Sequence, residues 1–230
     1  MQDIKTRFLI LSDTRAGKEL IVPTTPVDVA IHCGDLTSIH HFDLRNGAKL
    51  TVYANPFTPS PEADGGFQFK RAEQHNFHID KTVDIVITHG PPKGVLDMTS
   101  SRQRAGCEDL FAAVAKACPR LHCFGHIHEG WRAKLVGWRD APSEHPSHFT
   151  DIRNEASAVI ETLATIRAGK RDTPDLISEN QNRSRTLMMH GYRATSHCAN
   201  DKRPIRPGVT TLFVNAAIQP EDHEEEAQVP

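Results

Sequence analysis

Short apolar runs recur along the chain, and each stops abruptly at a polar or glycine-containing segment. Phe8–Leu11 (FLIL) leads into Ser-Asp, and Val27–His32 (VDVAIH) into Cys-Gly-Asp. Val83–Thr88 (VDIVIT) leads into His-Gly-Pro-Pro, and Leu121–Phe124 (LHCF) into Gly-His-Ile-His. Runs this compact and rich in Ile and Val predict strands buried on both faces. Between two of them, Glu108–Lys116 (EDLFAAVAK) predicts a helix, with acids at its start and Lys at its end. Strand, helix, strand in succession predicts an α/β layered fold. FDLR-NG-AKLTVY instead alternates about Asn46-Gly47, a two-residue hairpin signal. Trp131–Trp138 and Thr210–Val214 read as further strands. From Asn154 to Arg167, the spacing of Ala158, Ile160, Leu163 and Ile166 predicts a helix. Ala168–Arg185 is polar and reads as a loop. The organisation expected is one domain over 1–217, with 168–185 a polar loop, and an acidic disordered tail over 218–230.

One feature breaks the pattern. A buried strand at Val27–His32 should be followed by a crossover of roughly a dozen residues or more before the next parallel strand. Only CGDLTSIH separates it from the hairpin. The sheet is therefore expected to lack part of one βαβ unit near Thr37–His41.

Composition narrows the class. The chain has 230 residues, 38% hydrophobic and 24% charged, a globular composition with a net charge of −2. That balance argues against nucleic acid or a membrane surface as partner. The N-terminal apolar run is too short for a signal peptide or a spanning helix, so a reduced, cytoplasmic protein is expected. The cysteines number 5, an odd count at irregular spacing, so no disulfide framework is expected. Histidine is abundant, at 14 residues. Imidazole is a common metal ligand, but His40, His41, His75, His78, His145 and His148 lie in polar stretches and read as surface residues.

The ends of the apolar runs carry the chemistry. Asp13 follows the first, Asp35 the second, His89 the third, and His126 and His128 the fourth. In open α/β sheets, sites form beyond the carboxyl ends of the strands, where such residues converge. Gly34, Gly90 and Gly125 beside them permit sharp turns and close backbone approach. A mixed His and Asp set suits Zn, Mn or Fe, and a shared Asp can bridge two ions. Two ions activate water near neutral pH and neutralise charge developing on a phosphate. Singly, Asp13 and Asp35 read more readily as turn formers or helix caps than as ligands, and His89 reads as an ordinary turn residue. Their joint placement at successive strand ends is what points to a site. A structural zinc site from Cys118, Cys123, His126 and His128 is a competing reading of lower merit, because its spacing is irregular.

LILSDT, IHCGDLT, ITHGPP, FGHIH and the late LFVNAA together resemble the ordered motif series of calcineurin-like metallophosphoesterases, in particular the small intracellular branch of animals and fungi. The resemblance runs, with an interruption, from Arg7 to Ala217. It implies a four-layered β-sandwich flanked by helices and hydrolysis of a small phosphoester by divalent metal ions, Mn, Fe or Zn. It implies that Asp13 binds a first metal, Asp35 bridges both, His89 and His126 bind the second, and His128 returns to the first. It supplies no catalytic acid in this chain.

Two departures qualify it. The family opens with Asp-x-His, whose His is a ligand, whereas this chain has Arg15 there. A guanidinium cannot ligate a metal. It weakens the first site, or it holds a substrate phosphate in a bidentate contact. The family also carries Gly-Asn-His between the bridging Asp and the His-Gly element, and no such motif stands between Asp35 and His89. The missing motif falls where the crossover is missing, as a skipped exon, a faulty gene model or a deletion would leave it. The expectation is a metal-dependent phosphoester hydrolase with an incomplete two-metal site. The alternative is a non-catalytic phosphoesterase-like binding protein or a truncated isoform.

Overall fold

The computed structural model describes residues 5–13, 26–33, 38–44, 46–63, 65–162, 172–190 and 193–217. Its strands are β1 (Phe8–Leu11), β2 (Val29–His32), β3 (Ser38–Asp43), β4 (Lys49–Asn55), β5 (Thr58–Ser60), β6 (Gln68–Lys70), β7 (Ile85–Thr88), β8 (Leu121–Phe124), β9 (Arg132–Trp138), β10 (Ile152–Thr162) and β11 (Thr210–Asn215). The helices are α1 (Glu108–Ala117) and α2 (Pro174–His190). A seven-stranded mixed sheet runs in the order β10-β9-β11-β8-β7-β4-β3. Its centre, β4, β7, β8 and β11, is parallel, and β3, β9 and β10 pair antiparallel. β1 and β2 form a separate parallel pair, and β5 and β6 another. The mixed α/β class read from the apolar runs is the class observed.

The sheet is central because its middle strands are apolar on both faces. On one face Val86, Phe124, Val136, Trp138 and Phe213 meet Leu110, Phe111, Val114 and Ala115 of α1. On the other, Ile85, Ile87, Leu121, Cys123 and Leu212 meet Ile31 and Cys33 at the end of the β1–β2 pair. Helix α1 starts where Cys107 Sγ accepts the Leu110 N–H (3.4 Å) and ends at Cys118 in the left-handed region (φ 49°). Glu108 and Asp109 at its first turn and Lys116 at its last complement the helix dipole.

Three expectations are corrected. The stretch from Asn154 onward is not a helix: residues to Thr162 belong to β10, along the edge of β9. Ala158 and Ile160 are two apart, the strand period, and Ile160 joins the second core face while Val159 between them is exposed. Residues 163–167 lie outside the described residues. The polar loop expected over 168–185 is, from Pro174, helix α2. Thr173 Oγ1 accepts the Leu176 N–H (3.3 Å), with Pro174 first in the helix and Asp175 in its first turn. Residues 168–171 and the tail over 218–230 lie outside the described residues. Finally, the Asn46-Gly47 hairpin closes between Leu44 and Ala48, one residue longer than a two-residue turn. Leu44 N–H donates to Ala48 O, Gly47 N–H donates to Leu44 O (both 2.8 Å), and Gly47 sits at φ 86°.

β2 ends at His32 and the next described element, β3, begins at Ser38 as the outermost strand of the large sheet. β2 pairs with β1 and stays out of that sheet. Among the described residues no helix is long and apolar enough to cross a membrane.

Two groups in the core make testable claims. The fully buried Asp97 carboxylate accepts Gly94 N–H (2.8 Å), Gly106 N–H (3.3 Å) and Arg104 Nη1 (2.8 Å), tying the loop after β7 together. Asp97→Ala strands these donors and is expected to destabilise the fold by about 2–4 kcal/mol in urea unfolding. His122 is fully buried, which holds its imidazole down to about 3. In the unfolded chain it takes a proton near the ordinary ~6.5. Between those values the unfolded state binds more protons, so stability is complete above ~6.5 and is lost as pH falls. The urea midpoint is expected to drop between about pH 7 and 5, and to drop less steeply in His122→Gln.

Candidate metal centre

The carboxyl ends of β1, β2, β7 and β8 meet at one edge of the molecule, with β11 closing beneath them. Cys33 N–H donates to Leu11 O (2.8 Å), joining the ends of the first pair. Past β11, Ala217 bridges Ser12 in parallel register, fastening the end of β1 to the large sheet. Gly125 N–H, past β8, donates to His89 O (2.9 Å), past β7. The two turns that carry histidines are thus bonded to each other.

Asp13 lies at the middle. Its Oδ2 accepts Ser12 Oγ–H (2.6 Å) and the His126 backbone N–H (3.0 Å). Its Oδ1 is 3.8 Å from His128 Nε2. The His89 and His126 rings lie 4.9 Å apart, tilted by 55°. His89 Nδ1 is 3.3 Å from Cys33 O; a carbonyl only accepts, so Nδ1 carries the proton and Nε2 keeps its lone pair. That is the arrangement by which a backbone carbonyl orients a metal-binding imidazole.

The backbone is strained here. Asp13 (φ 54°) and His126 (φ 68°) occupy the left-handed region that residues other than glycine rarely adopt. Gly125 is required by packing, since a Cβ there would fall 1.9 Å from Ser12 Oγ and 2.2 Å from Asp13 Oδ2. Burial lowers the basicity of the His126 ring; the neighbouring His89 adds to this and Asp13 opposes it.

Asp13, His89, His126 and His128 are brought together in this way. Asp35, Gly34 and Arg15 lie outside the described residues. Among the described residues no three His, Cys, Asp or Glu side chains form a group able to hold a metal ion. The pairs Asp13–His128 and His89–His126 have the donor chemistry of Zn, Mn or Fe, but two donors apiece fall short of a full ligand set. The alternative zinc set is not assembled. Cys118 caps the end of α1, its thiol donating to Ala115 O (3.1 Å), before β8 begins, whereas His126 and His128 lie beyond the strand's other end. Cys123 is buried against the β2 side of the sheet.

Two residues were not singled out as site residues in the sequence. Ser12 orients Asp13. Asn215, fully buried, donates through Nδ2 to Ile127 O (2.9 Å) and Leu96 O (3.2 Å) and accepts Ala217 N–H at Oδ1 (3.0 Å). It holds the His126–His128 segment from below. The signal was present, since both stand inside the runs LILSDT and LFVNAA, at strand ends.

No family model matches the chain. It is 44% identical over 92 residues to metallophosphoesterase domain-containing protein 1 of Homo sapiens, and equally to that of Mus musculus; each match covers 37% of this chain and 28% of the relative. It is 36% identical over 149 residues to a UPF0046 protein of Caenorhabditis elegans, covering 57% of this chain and 36% of the relative. It is also 38% identical over 99 residues to a protein named probable rhamnogalacturonate lyase C of Emericella nidulans, covering 42% of this chain and 9% of that protein. The chain thus spans between about a tenth and about a third of the length of these relatives. The homologues named metallophosphoesterase domain-containing protein 1, together with the UPF0046 protein, support a metallophosphoesterase family for this chain.

Proposed function

We propose that this chain carries a reduced two-metal phosphoesterase site. Asp13 and His128 would serve one divalent ion and His89 and His126 a second, with Asp35 between them, acting on a small phosphoester. The observation that carries this reading is the convergence of Asp13 with His128 (3.8 Å) and of His89 with His126 (4.9 Å between rings) at adjoining strand ends. Bound divalent ions supply charge to neutralise phosphate oxygens and lower the pKa of water. The chain's own residues hold the donors in place: Ser12 and the His126 N–H fix Asp13, and Cys33 O fixes the His89 ring.

Turnover is low on this reading. Arg15 stands where the family places a ligand, weakening the first site, and its remaining use is a bidentate hold on substrate phosphate. The absent Asn-His motif removes a ligand of the second site and the proton donor to the leaving group. Loss of such a donor alone lowers rates by about 10²–10⁴-fold. The same reading includes the helix-flanked four-layered sandwich, short of a βαβ unit near 37–41, and a cytoplasmic protein without nucleic-acid or membrane partners. The second reading, a non-catalytic binder of phosphate compounds or a truncated isoform, is favoured by the same two departures.

Purified protein is expected to hold less than one equivalent of Mn, Fe or Zn by elemental analysis. It is expected to hydrolyse a nitrophenyl phosphodiester weakly or not at all. Robust metal-dependent turnover that disappears in His126→Ala would overturn the reduced-site reading. No metal uptake under saturating conditions would overturn metal binding altogether. Gly125→Ala, which drives a methyl into Ser12 and Asp13, is expected to abolish whatever uptake the wild-type chain shows.

A further inference from the structure

The core contains a histidine that the site does not touch. His122 lies in the middle of β8, opposite Val86 of β7 and Phe213 of β11, with no exposed surface. Its ring packs against Phe124 (5.0 Å) and Phe213 (5.5 Å). Nδ1 has no hydrogen-bond partner. Leu or Phe would fill this space without leaving a polar atom unpaired. The Nε2 side gives a reason for an imidazole here.

Nε2 is 2.9 Å from Thr88 Oγ1, and Thr88 Oγ1 is 2.7 Å from Gly90 O. A carbonyl only accepts, so the single hydroxyl proton of Thr88 points to Gly90 O. The Thr88 oxygen therefore accepts from His122, which must carry its proton on Nε2. The result is a directed chain: His122 Nε2–H to Thr88 Oγ1–H to Gly90 C=O. Successive bonds of this kind polarise and reinforce one another in a low-dielectric core. Gly90 follows His89 directly, and His89 O is already held by Gly125 N–H (2.9 Å). Strand β8 therefore grips the His89 turn twice, once past its end through Gly125 and once from its middle through His122.

We propose that His122 is a positioning residue whose Nε2–H, acting through the Thr88 hydroxyl, fixes the Gly90 carbonyl and thereby sets the turn that presents His89 beside His126. The inference deepens the reading of His89 and His126 as ligands, and its metal-binding arm rests on that reading.

The test is histidine-ring ¹⁵N NMR on the metal-free full chain, with a zinc titration beside it. His122 is expected to show a protonated Nε2 and a bare Nδ1, unchanged between about pH 5 and 8. His122→Leu, which removes the donor, is expected to shift the His89 and His126 ring resonances. His122→Gln, whose amide reaches the Nε2 position, is expected to restore them. Zinc affinity is expected to fall about 10–100-fold in His122→Leu and to recover in His122→Gln. Should His122→Leu not fold, Thr88→Val breaks the same chain and Thr88→Ser preserves it. A proton on Nδ1 would overturn the inference, as would unchanged His89 and His126 resonances in His122→Leu or, failing its folding, in Thr88→Val. A glutamine that behaves like leucine, or unaltered zinc affinity in a chain that binds zinc, would do the same. If the wild-type chain takes up no zinc, the metal reading fails, while the ring resonances still decide the positioning role.

Discussion

The parallel pairing of β7 with β8 does not stop where the strands stop. It continues one bond further, from Gly125 N–H to His89 O, and this bond fixes the distance between the two histidine turns. Everything at the site depends on how closely those turns approach. Gly125 lies against Ser12 and Asp13, so the end of β1 can enter only because that position lacks a Cβ. Once there, Asp13 accepts the next backbone N–H, from His126. Two contacts, one backbone to backbone and one from backbone to the Asp13 carboxylate, thus bring donors from three segments together, and the left-handed backbone at Asp13 and His126 is the local strain that goes with them.

The support beneath is apolar and ordinary. Alternation on β7, β8 and β11 sends one set of side chains to α1 and the other to the β1–β2 pair. Among the polar groups buried in this core, Asp97 and Asn215 hold backbone near the site directly, and His122 does so through the Thr88 hydroxyl. The bonds that Asp97 and Asn215 make offset the desolvation of burying them, while His122 keeps one ring nitrogen unpaired and bonds through the other.

Much of this was legible in the sequence. The runs VDIVIT and LHCF are compact and mostly apolar, which marks them as central strands, and the glycine-containing turn after each marks the site edge. Asn154–Thr162 misled because Ala158, Ile160, Leu163 and Ile166 fit a helix when taken together, while their first interval is that of a strand; pairing with β9 decided it. α2 was missed because its polar residues offer no apolar stripe, although Thr-Pro-Asp spells a helix start. Asp13, His89, His126 and His128 were readable as candidates from their places after strands. Asn215 carried the same signal, standing at a strand end inside LFVNAA, but its role and that of His122 depend on atoms contributed by segments remote in the chain.

That remoteness has a kinetic side. The bridge from Ser12 to Ala217 joins the end of the first described strand to the last described residue. Asn215 reaches Leu96 across 119 positions, and His126 reaches Asp13 across 113. Contacts so distant close late, after loop entropy has been met by more local pairing. During synthesis β7, α1 and β8 leave the ribosome before β11, so the contacts that Asn215 and Ala217 make with Ile127 and Ser12 form only after β11 emerges. The support beneath the site is therefore timed by β11 rather than by the residues that define the site.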